Sequence, residues 1–249
     1  MRKCLGALAF AAALLCVRPV RAADQVYEKT LPLAKGGTVN LENVNGSIDL
    51  RGWDREAVEI HAVKTTRRDV SDLDRVTVEV RTLPNRVEIL THYPKDQGVD
   101  VSVDYEVHVP ERVILEHIIT VNGSIKMAGV EARGELRTVN GNIEAYNCAG
   151  SISAHTTNGN LREELSKIGS SEMELDTVNG SVILAVPPDA SAELDARSMN
   201  GEVRSSLPVT VASAFTAGAF RGKLGAGGPL LHIRTVNGAI QLATLNGTI

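Results

Sequence analysis

The sequence predicts an all-β fold. It takes the form of a β-solenoid, a β-helix-like stack of 18–21-residue coils with Asn-Gly corners, preceded by a strand-rich N-terminal part. An antiparallel β-sandwich is the alternative. Three observations point this way. A six-residue word built on Asn-Gly recurs along the chain. The residue two places after each Gly is always Ile, Leu or Val. The stretches between the words alternate apolar or small residues with polar ones, as half-buried strands do.

Residues 1–22 read as a secretory signal peptide. Arg2 and Lys3 form its basic start, Cys4 to Val17 its apolar run, and Val20-Arg21-Ala22 its small-residue cleavage pattern. The run is too short for a membrane span, which needs about 20 apolar residues. Removing Arg2, Lys3, Arg18 and Arg21 leaves 22 basic residues of 26 against 30 acidic ones, a net charge of −8. A mildly acidic exported chain is poorly suited to nucleic acid or anionic lipid. Cys4 and Cys16 leave with the leader, so Cys148 remains alone, and its ordinary place is a buried, small apolar site.

The N-terminal part, 23–110, is strand-rich without a tight repeat. Its cleanest strand is Val99 to Val109. Val99, Val101, Val103, Tyr105, Val107 and Val109 form one face, and Asp100, Ser102, Asp104, Glu106 and His108 the other. Pro110 ends it. Residues 111–249 form the repeat region, with an insertion at 207–228. The corner pairs are Asn45-Gly46, Asn122-Gly123, Asn140-Gly141, Asn158-Gly159, Asn179-Gly180, Asn200-Gly201, Asn237-Gly238 and Asn246-Gly247. Both residue types accept positive φ, so each pair is expected to bend the chain sharply. The aliphatic column Ile125, Ile143, Leu161, Val182, Val203, Ile240 and Ile249 faces the core. If repeats stack in chain order, Lys126–Glu144–Arg162 and His155–Asp176–Arg197 lie side by side, and Asn side chains bond from coil to coil.

The order of these features resembles a known group. An exported leader precedes Gly46-Ser-Ile-Asp-Leu-Arg-Gly-Trp-Asp54. A strand then ends in Val-His-Val-Pro110, Thr-Val-Asn-Gly-Ser-Ile words follow, and a Gly-rich segment 222–229 leads into Leu-Leu-His-Ile-Arg-Thr-Val-Asn-Gly238. This is similar to the bacterial putative-adhesin β-strand-repeat family, a domain of unknown function. The resemblance implies an envelope-associated, adhesin-like protein and brings no catalytic residues with it.

Chemistry-bearing motifs are sparse. The six histidines show no metalloprotease or Cys/His spacing, and Gly218 to Lys223 has the wrong spacing for a phosphate loop. Four words read as glycosylation sequons, at Asn45, Asn122, Asn179 and Asn246, but they arise from the repeat itself. No cofactor and no metal are expected. The enzyme alternative is a polysaccharide-active β-helix, a lyase or hydrolase. It would use Glu174, Asp176, Glu193 and Asp195, two pairs clustered on adjacent coils, as acids or as a Ca2+ site.

The reading is therefore an exported non-enzymatic envelope protein, periplasmic, outer-envelope or extracellular, with an adhesin-like binding or scaffold role. Its partner is an envelope protein or glycan, not nucleic acid. Nothing after the leader spans a membrane. The strand Thr244 to Ile249 is expected to expose an edge for self-association.

Overall fold

The computed structural model describes residues 23–95, 98–211 and 218–245. The leader and the last word's Asn246, Gly247 and Ile249 lie outside these residues. The first strands are β1 (Ala23–Pro32), β2 (Thr38–Glu42), β3 (Ile48–Trp53) and β4 (Ala57–Thr66). One short helix, α1 (Asp72–Arg75), precedes β5 (Thr77–Leu83), β6 (Arg86–His92) and β7 (Val101–Pro110). The repeats begin with β8 (Arg112–Ile119), β9 (Ile125–Ala128), β10 (Glu131–Arg137), β11 (Ile143–Asn158), β12 (Leu161–Ile168), β13 (Met173–Asn179) and β14 (Val182–Val186). They close with β15 (Ala192–Asn200), β16 (Val203–Ser205), β17 (Val209–Val211), β18 (Ala219–Leu224), β19 (Leu230–Asn237) and β20 (Ile240–Thr244). No helix among the described residues is long and apolar enough to cross a membrane.

All twenty strands belong to one mixed sheet, which curls into a nearly closed barrel. One wall runs β5, β6, β2, β8, β10, β11, β13, β19, β15, β18, β17. The other runs β1, β4, β7, β3, β9, β11, β12, β14, β20, β16. The 16-residue β11 belongs to both. It bends between them at Asn147 and Gly150, both at positive φ.

This architecture corrects the solenoid expectation. A solenoid would stack like coils in chain order, whereas here a single mixed sheet has antiparallel pairs at both ends: β1–β4, β4–β7 and β5–β6 at one, β15–β18 and β17–β18 at the other. The antiparallel sandwich fails as well, because the repeats pair in parallel. Chain order and spatial order also part company. The insertion supplies β17 and β18, and β18 turns back antiparallel on β15. The chain then re-enters, so that β19 lies between β13 and β15, and β20 between β14 and β16. β20 ends at Thr244, which pairs with Val186 of β14, while β16 reaches only Ile240 to Leu242; most of the strand expected to expose an edge, 246–249, lies outside the described residues.

The parallel register explains the repeated word. Asn122 Nδ2 donates to Asn45 Oδ1 at 2.8 Å, Asn140 to Asn122 at 2.8 Å and Asn158 to Asn140 at 2.9 Å. The chain of amides continues through Asn179, Asn237 and Asn200. The first residue of the word serves the same ladder. The hydroxyls of Thr120, Thr138, Thr156, Thr177, Thr235 and Ser198 each donate to the Gly carbonyl of the neighbouring repeat, at 2.8–3.0 Å. Conformational freedom is not why the glycines are needed. Of the described corner glycines only Gly46 has positive φ. At Gly123, Gly141, Gly159, Gly180, Gly238 and Gly201 an added Cβ would instead overlap the neighbouring repeat's Gly carbonyl oxygen. The word encodes close backbone approach, not a hairpin turn.

The interior is aliphatic. One wall contributes the column Ile48, Ile125, Ile143, Leu161, Val182, Ile240 and Val203, and the other Leu41, Ile118, Leu136, Ala154, Leu175, Ile233 and Ala196, all buried. Each buried Leu or Ile stabilises the fold by about 1.5–3 kcal/mol.

Gly141→Ala should destabilise the protein by more than about 2 kcal/mol, because backbone rather than a flexible side chain has to move. Thr138→Val, which keeps the shape and removes one hydroxyl bond, should cost about 1 kcal/mol. Denaturant unfolding of the two variants checks both, and equal effects would contradict the close-approach account.

Candidate functional site

Strand exchange decides the chemistry of the outer wall. Along β10, β11, β13, β19 and β15, one outward-facing column reads Glu135, Ser153, Glu174, His232, Asp195. The next reads Arg137, His155, Asp176, Arg234, Arg197. The four acids expected to cluster are therefore split. His232 stands between Glu174 and Asp195, and Arg234 between Asp176 and Arg197. Asp176 lines one groove of 680 Å3, while Glu193 and Asp195 line another of 410 Å3 together with Arg221 and Lys223.

Charge pairing differs between these positions. Asp195 is bonded by Arg197 Nε at 2.9 Å and by Arg221 Nη2 at 2.8 Å. Burial works against its charge, yet these two guanidiniums hold its carboxyl below the ordinary range. Glu135 accepts Arg137 Nε and Nη2 at 3.0 and 2.8 Å. His232 Nε2 lies 2.8 Å from Glu172. Glu174 and Asp176 stand apart from this pattern, for their neighbour is His155, whose Nδ1 lies 3.6 Å from Asp176 Oδ2. One ligand atom from each of His155, Glu174 and Asp176 falls within 4.8 Å of the others.

Other candidates have structural partners. Asp104 accepts both the backbone N–H and the hydroxyl of Ser47 at 2.7 Å, Glu106 faces Arg51, and His108 stacks on Trp53 at 5.1 Å. These three side chains therefore point to different partners. Lys126–Glu144–Arg162 do lie in register, with Lys126 Nζ 3.8 Å from Glu144. Cys148 is buried, and burial pushes its thiol pKa up. The sequon asparagines Asn45, Asn122 and Asn179 have their side chains engaged in the amide ladder. Gly218 precedes β18 and Ala219 to Lys223 lie within it, so the segment opens no helix.

Glu163 was missed by motif reasoning. It sits in the apolar column Leu50, Met127, Ala145, Glu163, Leu184, Leu242. It is fully buried, and neither carboxyl oxygen has a hydrogen-bond partner. The signal was present in the alternation: Leu161 and Leu165 point inward, so Glu163 between them does too. Desolvation pushes its carboxyl up to about 8.

The sign follows from linkage. The folded pKa is raised from 4.5, so the group favours folding fully below that value, and this stability is lost as pH climbs toward about 8. The loss amounts to roughly several kcal/mol. Glu163→Leu should therefore be more stable than the native protein at pH 8 and should flatten the pH dependence of unfolding between 5 and 8. Urea unfolding across that range is the measurement, and an unchanged slope would count against it.

Comparison with known proteins places these features in context. The family model described as Toastrack DUF4097 matches residues 30–243. No curated protein matches. A structure described as a putative cell adhesion protein from Clostridium sporogenes is similar over 89% of this chain and 100% of its own, at 12% identity and a TM-score of 0.48. A putative adhesin from Bacteroides fragilis covers 89% and 97%, at 8% identity and a TM-score of 0.30. A putative lipid binding protein from Parabacteroides distasonis covers 88% and 96%, at 11% and 0.27.

Proposed function

The chain belongs to the Toastrack DUF4097 family, and from that footing we propose that it works outside the cytoplasm as a non-enzymatic envelope protein, binding an envelope protein or glycan through its outer surface. The leader pattern at 1–22 supports export. The observation that carries the binding reading is the packed aliphatic interior, which leaves function to the outside of the walls.

That outside offers a regular contact line. The amide ladder is flanked by the second residue of each word, and Val44, Val139, Val178 and Met199 are exposed there. These four side chains stand on alternate repeats, with Val121, Thr157 and Val236 between them, so they recur about every two strand spacings, roughly 9.6 Å. Such a row suits an extended partner, because every second step of the partner meets an exposed apolar side chain. The polysaccharide-cleaving alternative receives no such support. Catalytic carboxylates act as a facing pair, whereas His232 separates Glu174 from Asp195, Arg197 and Arg221 neutralise Asp195, and Glu174 and Asp176 sit side by side on one strand.

Cell fractionation with external protease treatment tests location, and a glycan and surface-protein pull-down tests binding. Replacing Val139 and Val178 by Asp should weaken a captured partner about tenfold or more while changing stability by less than about 1 kcal/mol. Retention in the cytosol, or turnover of pectin or alginate by the pure protein, would overturn the reading.

A further inference from the structure

On the outer wall, the carboxylates of the His155, Glu174, Asp176 group face an imidazole rather than a guanidinium. We infer that these three side chains form a binding site for a late first-row divalent metal ion, of which Zn2+ is the representative. The inference is independent of the binding role proposed above.

Placement comes first. His155 lies on β11 and Asp176 directly opposite it on β13, in parallel register. Glu174 precedes Asp176 by two residues, so it projects from the same face. Two paired strands hold all three, and this rigidity is what a metal site requires. Ligands around an ion at about 2.0–2.2 Å stand about 3–3.5 Å apart. His155 Nδ1 and Asp176 Oδ2 are already at 3.6 Å, and the full set within 4.8 Å needs a side-chain movement of only about 1 Å.

The local charge favours a cation as well. The guanidiniums beside the group are turned elsewhere, Arg137 to Glu135 and Arg234 to His232 Nδ1 at 3.4 Å. Among the described residues, neither Glu174 nor Asp176 has a Lys or Arg ion pair, unlike Glu135, Glu164 and Asp195 on the same molecule. With a neutral imidazole the group carries two negative charges, which one divalent cation would balance.

A third observation is independent of both. Asp176 Oδ1 is shielded from solvent and has no hydrogen-bond partner. Orphaned carboxylate oxygens are costly unless something else satisfies them.

The donor set selects the ion. Imidazole with two carboxylates suits zinc and its neighbours, while Ca2+ takes oxygen ligands only and in larger number. This replaces the sequence-based Ca2+ candidate with a different ion and a different trio, because Glu193 and Asp195 lie beyond β19.

Calorimetric titration of the purified protein with zinc chloride should show one bound equivalent that excess Ca2+ does not displace. His155→Ala, Glu174→Gln and Asp176→Asn should each weaken binding at least tenfold, while His232→Ala leaves it unchanged. Cobalt supplies a second readout, since its visible absorption band should appear on binding and vanish in His155→Ala. Circular dichroism confirms that each variant is folded. Absence of zinc binding overturns the inference. So does binding that survives all three substitutions, or that disappears only with His232→Ala.

Discussion

The seating of one repeat's backbone on the next governs this fold. At six of the described corners a glycine lies against a neighbouring repeat's glycine carbonyl with no room for a Cβ. A Thr or Ser hydroxyl donates to that carbonyl, and an Asn amide bonds to its counterpart. Three residues of the word thus act on one contact. Because the contact forces parallel register, it also aligns the aliphatic column that follows each glycine, and burial of that column supplies the larger share of stability. The corner does not need to contribute much energy itself. Its effect is to exclude the one-residue slip that would turn every side chain to the wrong face.

Much of this was legible in the residues. The word, its aliphatic sequel and the polar alternation identify strands and their buried faces from Ile125 through Ile240. The face Val101 to Val109 reads equally well. Spatial order was not legible, for a physical reason. The words at Ser198 and Thr235 carry the same ladder chemistry, so exchanging them leaves Asn over Asn, Gly over Gly and aliphatic over aliphatic. Sequence periodicity cannot separate arrangements that are degenerate in every column it reads. The antiparallel ends were hidden for a related reason: alternation reports which face is buried and says nothing about the direction of the neighbouring strand. The role of the corner glycines is not legible either, because a glycine needed for close approach and one needed for positive φ are the same letter.

The exchange of β19 has a chemical consequence. In chain order Asp176 would stand beside Arg197, and Glu174 beside Asp195. With β19 interposed, His232 and Arg234 become the neighbours instead, and Asp195 is left to Arg197 and Arg221. What looked like one pool of four acids becomes a neutralised Asp195 at one position and a poorly neutralised pair, Glu174 and Asp176, at another. Topology, rather than composition, assigns those charges their partners.

Glu163 shows the same logic from inside. Its column neighbours Ala145 and Leu184 offer no donor, so burial leaves the carboxyl with desolvation and no compensating bond. A Leu there would satisfy the repeat better than the residue present. This column tolerates one poor fit because β12 is held by two neighbours, β11 and β14. The corner positions have no such reserve: a single Cβ there would push two backbones apart, and the displacement would pass to both walls through the strands that leave the corner.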